Sequence, residues 1–227
     1  LAYTGLFQRR SGRIRVPVKC YLVEVNGRRI LVDTGWGKAS AAHPMRSIGF
    51  PLWFASEPVL PKAETLDAWF GKLGVTAADL DAVILTHMDV DHVGGLRDVR
   101  AARHIYAAAE EWAGAQAGGV RYNRKLWRGI PVELLKMERD AGAPFGRSCD
   151  LFGDGSVRAV LTPGHSAGSC AVLVSDGEKF AVLPGDDGYN ARSWDQLALP
   201  GPMVNESDMR RSLRWVRGLQ EDARCAG

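Results

Sequence analysis

The sequence predicts an α/β protein in which two sheets pack together and helices cover them. Its 227 residues suit one large domain or two small ones. They are 46% hydrophobic and 24% charged, a composition typical of globular proteins and not of disordered chains. Strand-like runs at both ends of the chain flank helical segments, and one amphipathic helix follows, which favours a layered sandwich. We expect residues 1–227 to form a single domain; truncation of the sequence at both ends stays open.

The first predicted element is a hairpin. Residues 18–25 have the composition of a strand, and residues 28–32 form the return strand. The Asn-Gly pair at 26–27 indicates the turn, because both residues tolerate positive φ. Residues 36–70 then combine Gly, Pro and aromatic residues without a clear period. We expect a loop-rich segment there that covers the core or lines a pocket.

The middle of the chain supplies buried strands and helical turns. Thr76 is expected to cap a short helical segment. The apolar run 82–85 is typical of a strand in a covered sheet. A second strand at 105–106 precedes a helical stretch at 107–112. Residues 118–147 are basic and interrupted by Gly and Pro, which predicts an excursion from the core.

The last third returns to strands and ends in a helix. Turn residues separate three predicted strands at 157–161, 170–174 and 179–183. Residues 207–223 then show helical periodicity. The apolar face of this helix consists of Met209, Leu213, Val216 and Leu219.

Composition excludes several classes of partner. Lys and Arg exceed Asp and Glu by 29 to 26, a net charge of +3 that gives no case for nucleic acid or an anionic membrane surface. No apolar run approaches the ~18 residues of a membrane-spanning helix, and no signal peptide is visible. Four cysteines without a close pair favour reduced thiols and a cytoplasmic location.

A cluster of metal-ligating residue types follows the strand at 82–85. His87, Asp89, Asp91 and His92 lie within six positions, and no Lys or Arg occurs from 80 to 96. Neighbouring carboxylates repel each other unless a cation lies between them. Histidine and aspartate are good ligands for zinc, iron or manganese. The pattern therefore favours a metal site over the alternative, a polar turn capped by Asp.

Two later loops repeat this arrangement. His165 follows Thr-Pro-Gly after the strand at 157–161, and Asp186 follows Leu-Pro-Gly after the strand at 179–183. Taken singly, each is equally compatible with a turn residue. His43 and His104 follow no such strand end, and we interpret them as loop and surface residues.

Together, His-x-Asp-x-Asp-His, Pro-Gly-His and Gly-Asp resemble the motifs of the metallo-β-lactamase superfamily of hydrolases, over nearly the whole chain. The resemblance implies an αβ/βα four-layer sandwich with two divalent metal ions at one edge. We expect these ions to be zinc. Asp33 would orient the ligand turn through hydrogen bonds. The implied ligands are His87, Asp89 and His165 for the first ion and Asp91 and His92 for the second, with Asp186 bridging them.

Two departures from the family pattern stand out. The family usually has His at the position of Asp89, and a shorter, anionic ligand favours harder ions such as iron or manganese. The family's last ligand is a His near the C-terminus, whereas no His follows His165. Either that ligand lies outside this sequence, or the second ion has one ligand fewer.

Within the superfamily, the chain is similar to the quorum-quenching N-acyl homoserine lactonases. Tyr189 lies three residues after Asp186, where the resemblance implies a hydrogen bond to the substrate carbonyl; the alternative is a partly buried aromatic. A metal-bound hydroxide would open an ester or lactone, with Tyr189 stabilising the oxyanion and Asp91 moving a proton to the leaving group. The apolar segment 36–70 would bind the acyl chain.

Other functions stay open. Superfamily members with an acidic residue in this motif include di-iron oxidoreductases, so an oxidoreductase with one or two irons is an alternative. A catalytically silent metal-binding module is another. An aspartic protease would need two facing Asp-Thr-Gly motifs, and the chain has one, at 33–35. We expect a small-molecule ester or lactone as partner; a homodimer stays open, since aromatics in 36–70 could form its surface.

Overall fold

A computed structural model of the protein describes residues 2–4, 13–57 and 59–227. Short 3-10 segments cover Lys62–Glu64, Ala77–Asp79 and Gly185–Asp187. The strands are β1 (Ala2–Thr4), β2 (Arg13–Arg15), β3 (Tyr21–Val25), β4 (Arg28–Val32), β5 (Ser56–Glu57), β6 (Ala82–Ile84), β7 (Ile105–Ala107), β8 (Glu133–Leu134), β9 (Glu138–Arg139), β10 (Arg147–Asp150), β11 (Val157–Leu161), β12 (Cys170–Ser175) and β13 (Phe180–Leu183). The helices are α1 (Lys38–Ala42), α2 (Pro44–Ile48), α3 (Phe50–Ala55), α4 (Leu66–Leu73), α5 (Ala109–Ala117), α6 (Ala191–Asp195) and α7 (Glu206–Gln220).

Two five-stranded sheets form the centre of the fold. The first has the order β3-β4-β6-β7-β8, in which β3 and β4 form an antiparallel hairpin and the remaining neighbours are parallel. The second has the order β13-β12-β11-β10-β9 and is antiparallel throughout. The hairpin turn at Asn26 and Gly27 has φ of 50° and 71°, which confirms the predicted turn.

Alternation along β4 shows how the layers pack. Ile30 and Val32 point toward the second sheet and contact a cluster that includes Val157 and Val172. Leu31 points the other way, into the larger cluster that α4 completes with Phe70. Successive side chains on a strand face opposite sides, so β4 is covered on both. The structure thus confirms the αβ/βα sandwich.

The C-terminal helix is also confirmed. Helix α7 begins after Asn205, whose side chain accepts the Asp208 N–H, and it buries Met209 and Leu213 completely. The Ser212 hydroxyl donates to the carbonyl oxygen of Pro163 at 2.8 Å. This contact fastens the helix to the loop that precedes His165. Among the described helices, none combines the length and the apolar character that crossing a bilayer requires.

The connecting segments differ from the prediction in two respects. Residues 36–70 do cover the core, since Trp36 and Trp53 pack against it, but they are not loop-rich, and residues 118–147 are not an excursion. Residues 36–70 contain α1, α2 and α3, which are five to six residues long and therefore too short to show a helical period in the sequence. Residues 118–147 do not leave the core, because Leu126, Trp127 and Leu135 are buried. Gly and Pro in this segment introduce turns, while the apolar side chains between them still pack against the sheets.

Candidate metal centre

Three loops bring the predicted ligands together. The loop after β6 carries His87 to His92, the loop after β11 carries His165, and the 3-10 turn after β13 carries Asp186. His92 Nε2 lies 3.3 Å from Asp186 Oδ1, and His165 Nε2 lies 3.5 Å from Asp186 Oδ2. His87 and Asp186, which are 99 positions apart in the sequence, thus meet at one end of the sandwich.

Among the residues that the structure describes, two sets of side chains have ligand atoms within 4.8 Å of one another. One, called the cavity group, consists of His87, His92 and Asp186. The other consists of His87, Asp89 and His165. Asp91 belongs to neither set, although its Oδ2 lies 3.8 Å from His92 Nε2.

Asp33 prepares both histidines of the cavity group. Its Oδ2 accepts from His92 Nδ1 at 2.8 Å and from the Thr86 hydroxyl at 2.7 Å. Because the Thr86 hydrogen is directed to Asp33, its oxygen is left to accept from His87 Nδ1, 3.0 Å away. Both rings can therefore donate hydrogen from Nδ1, and this orientation directs the Nε2 atom of each ring toward Asp186. Asp33 thus makes the hydrogen bonds to the ligand turn that its expected role requires.

His87 supplies a test of whether a metal fits the cavity group. Its ring is completely buried, and Nε2 has no hydrogen-bond partner among the described residues. A buried nitrogen without a partner is costly. A divalent ion shared with His92 and Asp186 would satisfy it with a donor set that zinc, iron and manganese all accept. The residues of the cavity group fit such an ion.

Electrostatics at the centre also fit a cation. Burial favours neutral His92, but the carboxylates of Asp186, Asp33 and Asp91 raise its pKa well above the usual value. Burial works to raise the pKa of Asp186, yet the positive field of His92 and the other histidines lowers it. The pKa of Asp91 is raised, by burial first and by the nearby carboxylates Asp186 and Asp89. Neighbouring carboxylates of this kind call for a positive charge between them.

Arg121 is a site residue that sequence reasoning missed. It comes from the turn region after α5 and places its guanidinium against Asp89. Nε–H donates to Oδ1 at 2.6 Å and Nη2–H donates to Oδ2 at 2.7 Å. Burial works to raise the pKa of Asp89, but its neighbours His165, His87 and Arg121 hold it well below its usual value. In the sequence, Arg121 is one of several basic residues in 118–147, and nothing local distinguishes it.

Glu111 is a second residue that the sequence did not reveal. It is completely buried on α5 and holds the two histidine loops together. Its Oε1 accepts the Met88 N–H at 2.8 Å. Its Oε2 accepts the Ser166 hydroxyl at 2.5 Å and the Gly168 N–H at 3.2 Å. Glu111 is therefore a positioning residue for the loops that carry His87 and His165.

Glycines explain why the loop around His165 has its sequence. A Cβ on Gly164, whose φ is +135°, would lie 2.3 Å from the backbone nitrogen of Met209 in α7. A Cβ on Gly168 would lie 2.2 Å from the backbone nitrogen of Glu111. Both positions allow a helix to approach the loop more closely than any side chain would permit.

The cavity next to the cavity group has a volume of about 420 Å³. Asp33, His92, Asp186 and Tyr189 line it. Its other walls come from Val32, Thr86 and residues within 17–21, 182–194 and 216–227, and none of the described residues of 36–70 is among them. Trp36, Trp69 and Phe70 line a second cavity of about 400 Å³ that contains none of the predicted ligands. The prediction that 36–70 forms the pocket wall beside the metal site is therefore wrong for this cavity.

Two histidines lie apart from the centre, as predicted. His43 caps the junction of α1 and α2. His104 is partly exposed, and its Nδ1 lies 2.8 Å from a carboxylate oxygen of Glu133.

This fold and these ligand loops define a class of metal-binding hydrolases. Residues 13–227 match the Metallo-beta-lactamase superfamily, and the chain belongs to that family. A probable metallo-hydrolase of Mycobacterium tuberculosis is 32% identical over 183 residues, which cover 77% of this chain and 57% of the relative. The chain thus spans little more than half the length of that relative.

Further relatives are lactonases, which confirms the predicted resemblance. The N-acyl homoserine lactonase AttM of Rhizobium radiobacter is 29% identical over 216 residues, covering 91% of this chain and 78% of the relative. The fold matches an N-acyl homoserine lactone hydrolase solved with N-hexanoyl-L-homoserine at its catalytic metal center. That match has a TM-score of 0.74 and 18% identity, and it covers 95% of this chain and 81% of the other. Family and relatives support a metal-dependent hydrolase.

Proposed function

We propose that the chain opens the ester or lactone bond of a small molecule, with an N-acyl homoserine lactone as the first candidate. The observation that carries this proposal is the position of the cavity group. His92, Asp186 and Tyr189 all line a cavity of about 420 Å³. Lactonases among the relatives support the choice of substrate class, and they make quorum quenching the proposed biological role.

The cavity group would hold the metal ion. We propose zinc as this ion, with iron or manganese as alternatives. Such an ion acidifies a water molecule and polarises a carbonyl group. The chain's own contribution is to orient the ligands: Asp33 fixes the His92 ring directly and the His87 ring through Thr86. Ligands held in this way need no reorganisation before a substrate arrives.

Tyr189 is the proposed donor to the substrate carbonyl oxygen. Burial and the negative charges of Asp186, Asp91 and Asp89 raise the pKa of its phenol. The hydroxyl therefore stays protonated at neutral pH and can donate a hydrogen bond as negative charge develops on the oxygen.

Asp91 is the proposed proton carrier. Burial and the nearby carboxylates raise the pKa of its carboxyl group, and a positioned carboxyl group can act as a general acid. Its Oδ2 lies 3.8 Å from His92 Nε2, beside the cavity group. From there the proton would pass to the leaving alkoxide.

The cavity walls suit an apolar acyl group. Val182, Leu183, Trp194 and Val216 are among the residues that line the cavity. Burying each additional CH₂ of an acyl chain against such walls stabilises the complex by about 0.8 kcal/mol. Longer acyl chains should therefore bind more tightly until the cavity is full. We further propose a cytoplasmic location, which the four free cysteines support.

Ring opening of N-hexanoyl homoserine lactone by the metal-loaded protein tests the proposal. The open-chain acid would be detected by mass spectrometry, with simple esters tested in parallel. His87→Ala should abolish turnover, while His104→Ala, the matched control at the surface, should retain it. Full activity of His87→Ala on every substrate would overturn the proposal. Bound metal without turnover would favour the silent module, and an iron absorption band with redox activity would favour the oxidoreductase.

A further inference from the structure

The guanidinium of Arg121 lies between two of the ligands that the family would use for one metal ion. Besides its two bonds to Asp89, it donates from Nη1 to the His165 carbonyl oxygen at 2.7 Å. Its Nη2 also lies 2.8 Å from His165 Nε2. The side chains of Arg121 and Asp89 are only 18% and 14% exposed, so water screens the pair poorly. A positive charge is therefore already built into this part of the centre.

His165 cannot serve Arg121 and a metal ion together. A neutral imidazole has one lone pair, and here the nitrogen that would bind metal lies 2.8 Å from Arg121 Nη2 and 3.2 Å from Asp89 Oδ2. The other nitrogen, Nδ1, is buried and has no partner among the described residues. Metal-binding histidines usually donate from that second nitrogen. His165 therefore lacks the support that Asp33 and Thr86 give to His92 and His87.

Asp89 is occupied in the same way. Each of its carboxylate oxygens accepts a hydrogen bond from Arg121. An ion bound to either oxygen would bring a second cation beside the guanidinium, and the two would repel each other in a poorly screened environment. The set formed by His87, Asp89 and His165 has suitable spacing, but it does not fit a metal ion while Arg121 stays in place.

Several contacts keep Arg121 in place. Its own carbonyl oxygen accepts the Val90 N–H at 3.3 Å, next to Asp89. The following residue, Tyr122, donates its hydroxyl to Glu111 at 3.3 Å. The Asn123 side chain donates to the carbonyl oxygens of Arg46 and Ser47, each at 2.8 Å. The backbone around Arg121 is thus tied to both the ligand loop and α2.

We propose that the chain binds one divalent ion instead of two, and that the Arg121 guanidinium takes the place of the other. The cavity group holds the ion, while Asp89, His165 and Arg121 form a metal-free arginine group. This replaces the two-ion expectation drawn from the sequence. The cavity agrees with the proposal, because two of the three cavity-group residues, His92 and Asp186, line it, whereas neither Asp89 nor His165 does. It rests on the proposed function only in assigning an ion to the cavity group.

Elemental analysis gives the test. The purified chain would be saturated with Zn²⁺ and, separately, with Mn²⁺, freed of excess ion and analysed by mass spectrometry. We expect one ion per chain. Arg121→Met should raise the content to two, because it releases Asp89 and His165. Arg124→Met, an exposed arginine on the same segment, is the matched control and should stay at one.

A second pair of variants keeps the proposal testable if Arg121→Met does not fold. Asp89→Asn should retain the single ion, and His92→Ala should lose it. Two ions, or none, in the unmodified chain would overturn the proposal, as would loss of the ion in Asp89→Asn. Lactone hydrolysis measured on the same samples separates the two proposals. Two bound ions with turnover would overturn the single-ion proposal and leave the proposed function standing. One bound ion without turnover would overturn the proposed function and leave the single-ion proposal standing.

Discussion

The cavity group and the arginine group are built from similar residues but are prepared for different partners. In the cavity group, His87 and His92 are anchored through Nδ1, and the Nε2 atoms of both rings face the carboxylate of Asp186. In the arginine group the situation is reversed: His165 Nε2 faces a guanidinium and Nδ1 has no partner among the described residues. The presence of histidine and aspartate side chains at a suitable spacing is therefore insufficient to identify a metal site. What contacts the other side of each ligand decides whether its lone pair is available.

The largest expected difference is between the two groups' histidines. His92→Ala should reduce kcat/KM for lactone hydrolysis by at least about 10³-fold, since it removes an ion-binding side chain and with it the main electrostatic stabilisation. His165→Ala should reduce it by about 10-fold and leave the metal content unchanged. Initial rates and metal analysis of both variants check this. Equal losses in the two variants would remove the distinction between the groups.

Tyr189→Phe should have the next largest effect. Removing one hydrogen-bond donor to a developing oxyanion costs about 10²-fold in kcat. The phenyl ring keeps the shape of the cavity, so KM and metal content should change little. Steady-state kinetics on N-hexanoyl homoserine lactone provide the measurement. An unchanged kcat would show that Tyr189 is only a partly buried aromatic of the cavity wall.

Asp33→Asn tests how strongly the cavity group depends on its supporting contacts. Loss of a carboxylate that orients a ligating histidine typically weakens metal affinity by 10- to 100-fold. Isothermal titration with Zn²⁺ would show this shift. Asp154→Asn, at the surface beside Arg28, is the control and should leave the affinity unchanged. If both variants bound zinc as the unmodified chain does, Asp33 would not prepare the site.

The smallest effect is expected from Glu111→Gln. The amide keeps the size of the side chain but loses an acceptor that the Met88, Ser166 and Gly168 donors use. We expect the free energy of unfolding to fall by about 1–3 kcal/mol. Urea denaturation gives the value. Glu110→Gln, the partly exposed neighbour that pairs with Arg147, should cost less than about 1 kcal/mol, and a larger loss there would contradict this ranking.

Local patterns explain what the sequence predicted well. The Asn-Gly turn, the apolar run of β6 and the amphipathic α7 each show their structure within a few residues. The ligand motifs are also local, because each follows a strand and carries its own turn residues. Helices α1, α2 and α3 were missed because five or six residues are too few to establish a period.

Contacts between distant residues explain what the sequence did not reveal. Arg121 meets Asp89 across 32 positions, and Glu111 meets Ser166 across 55. Neither residue belongs to a motif, and each has a neighbour of the same type within three positions, Arg124 and Glu110. Only the packing of α5 and the segment after it onto the ligand loops distinguishes them. The pocket walls follow the same rule, since they depend on where 36–70 and the C-terminal residues pack.

The position of the bound ion tests the difference between the two groups most directly. Crystals of the unmodified chain soaked in Zn²⁺ and measured at the zinc absorption edge would show each ion as an anomalous difference peak. We predict one peak per chain, between His92 and Asp186, with Arg121 still bound to Asp89. A peak between Asp89 and His165, with the guanidinium displaced, would contradict the account.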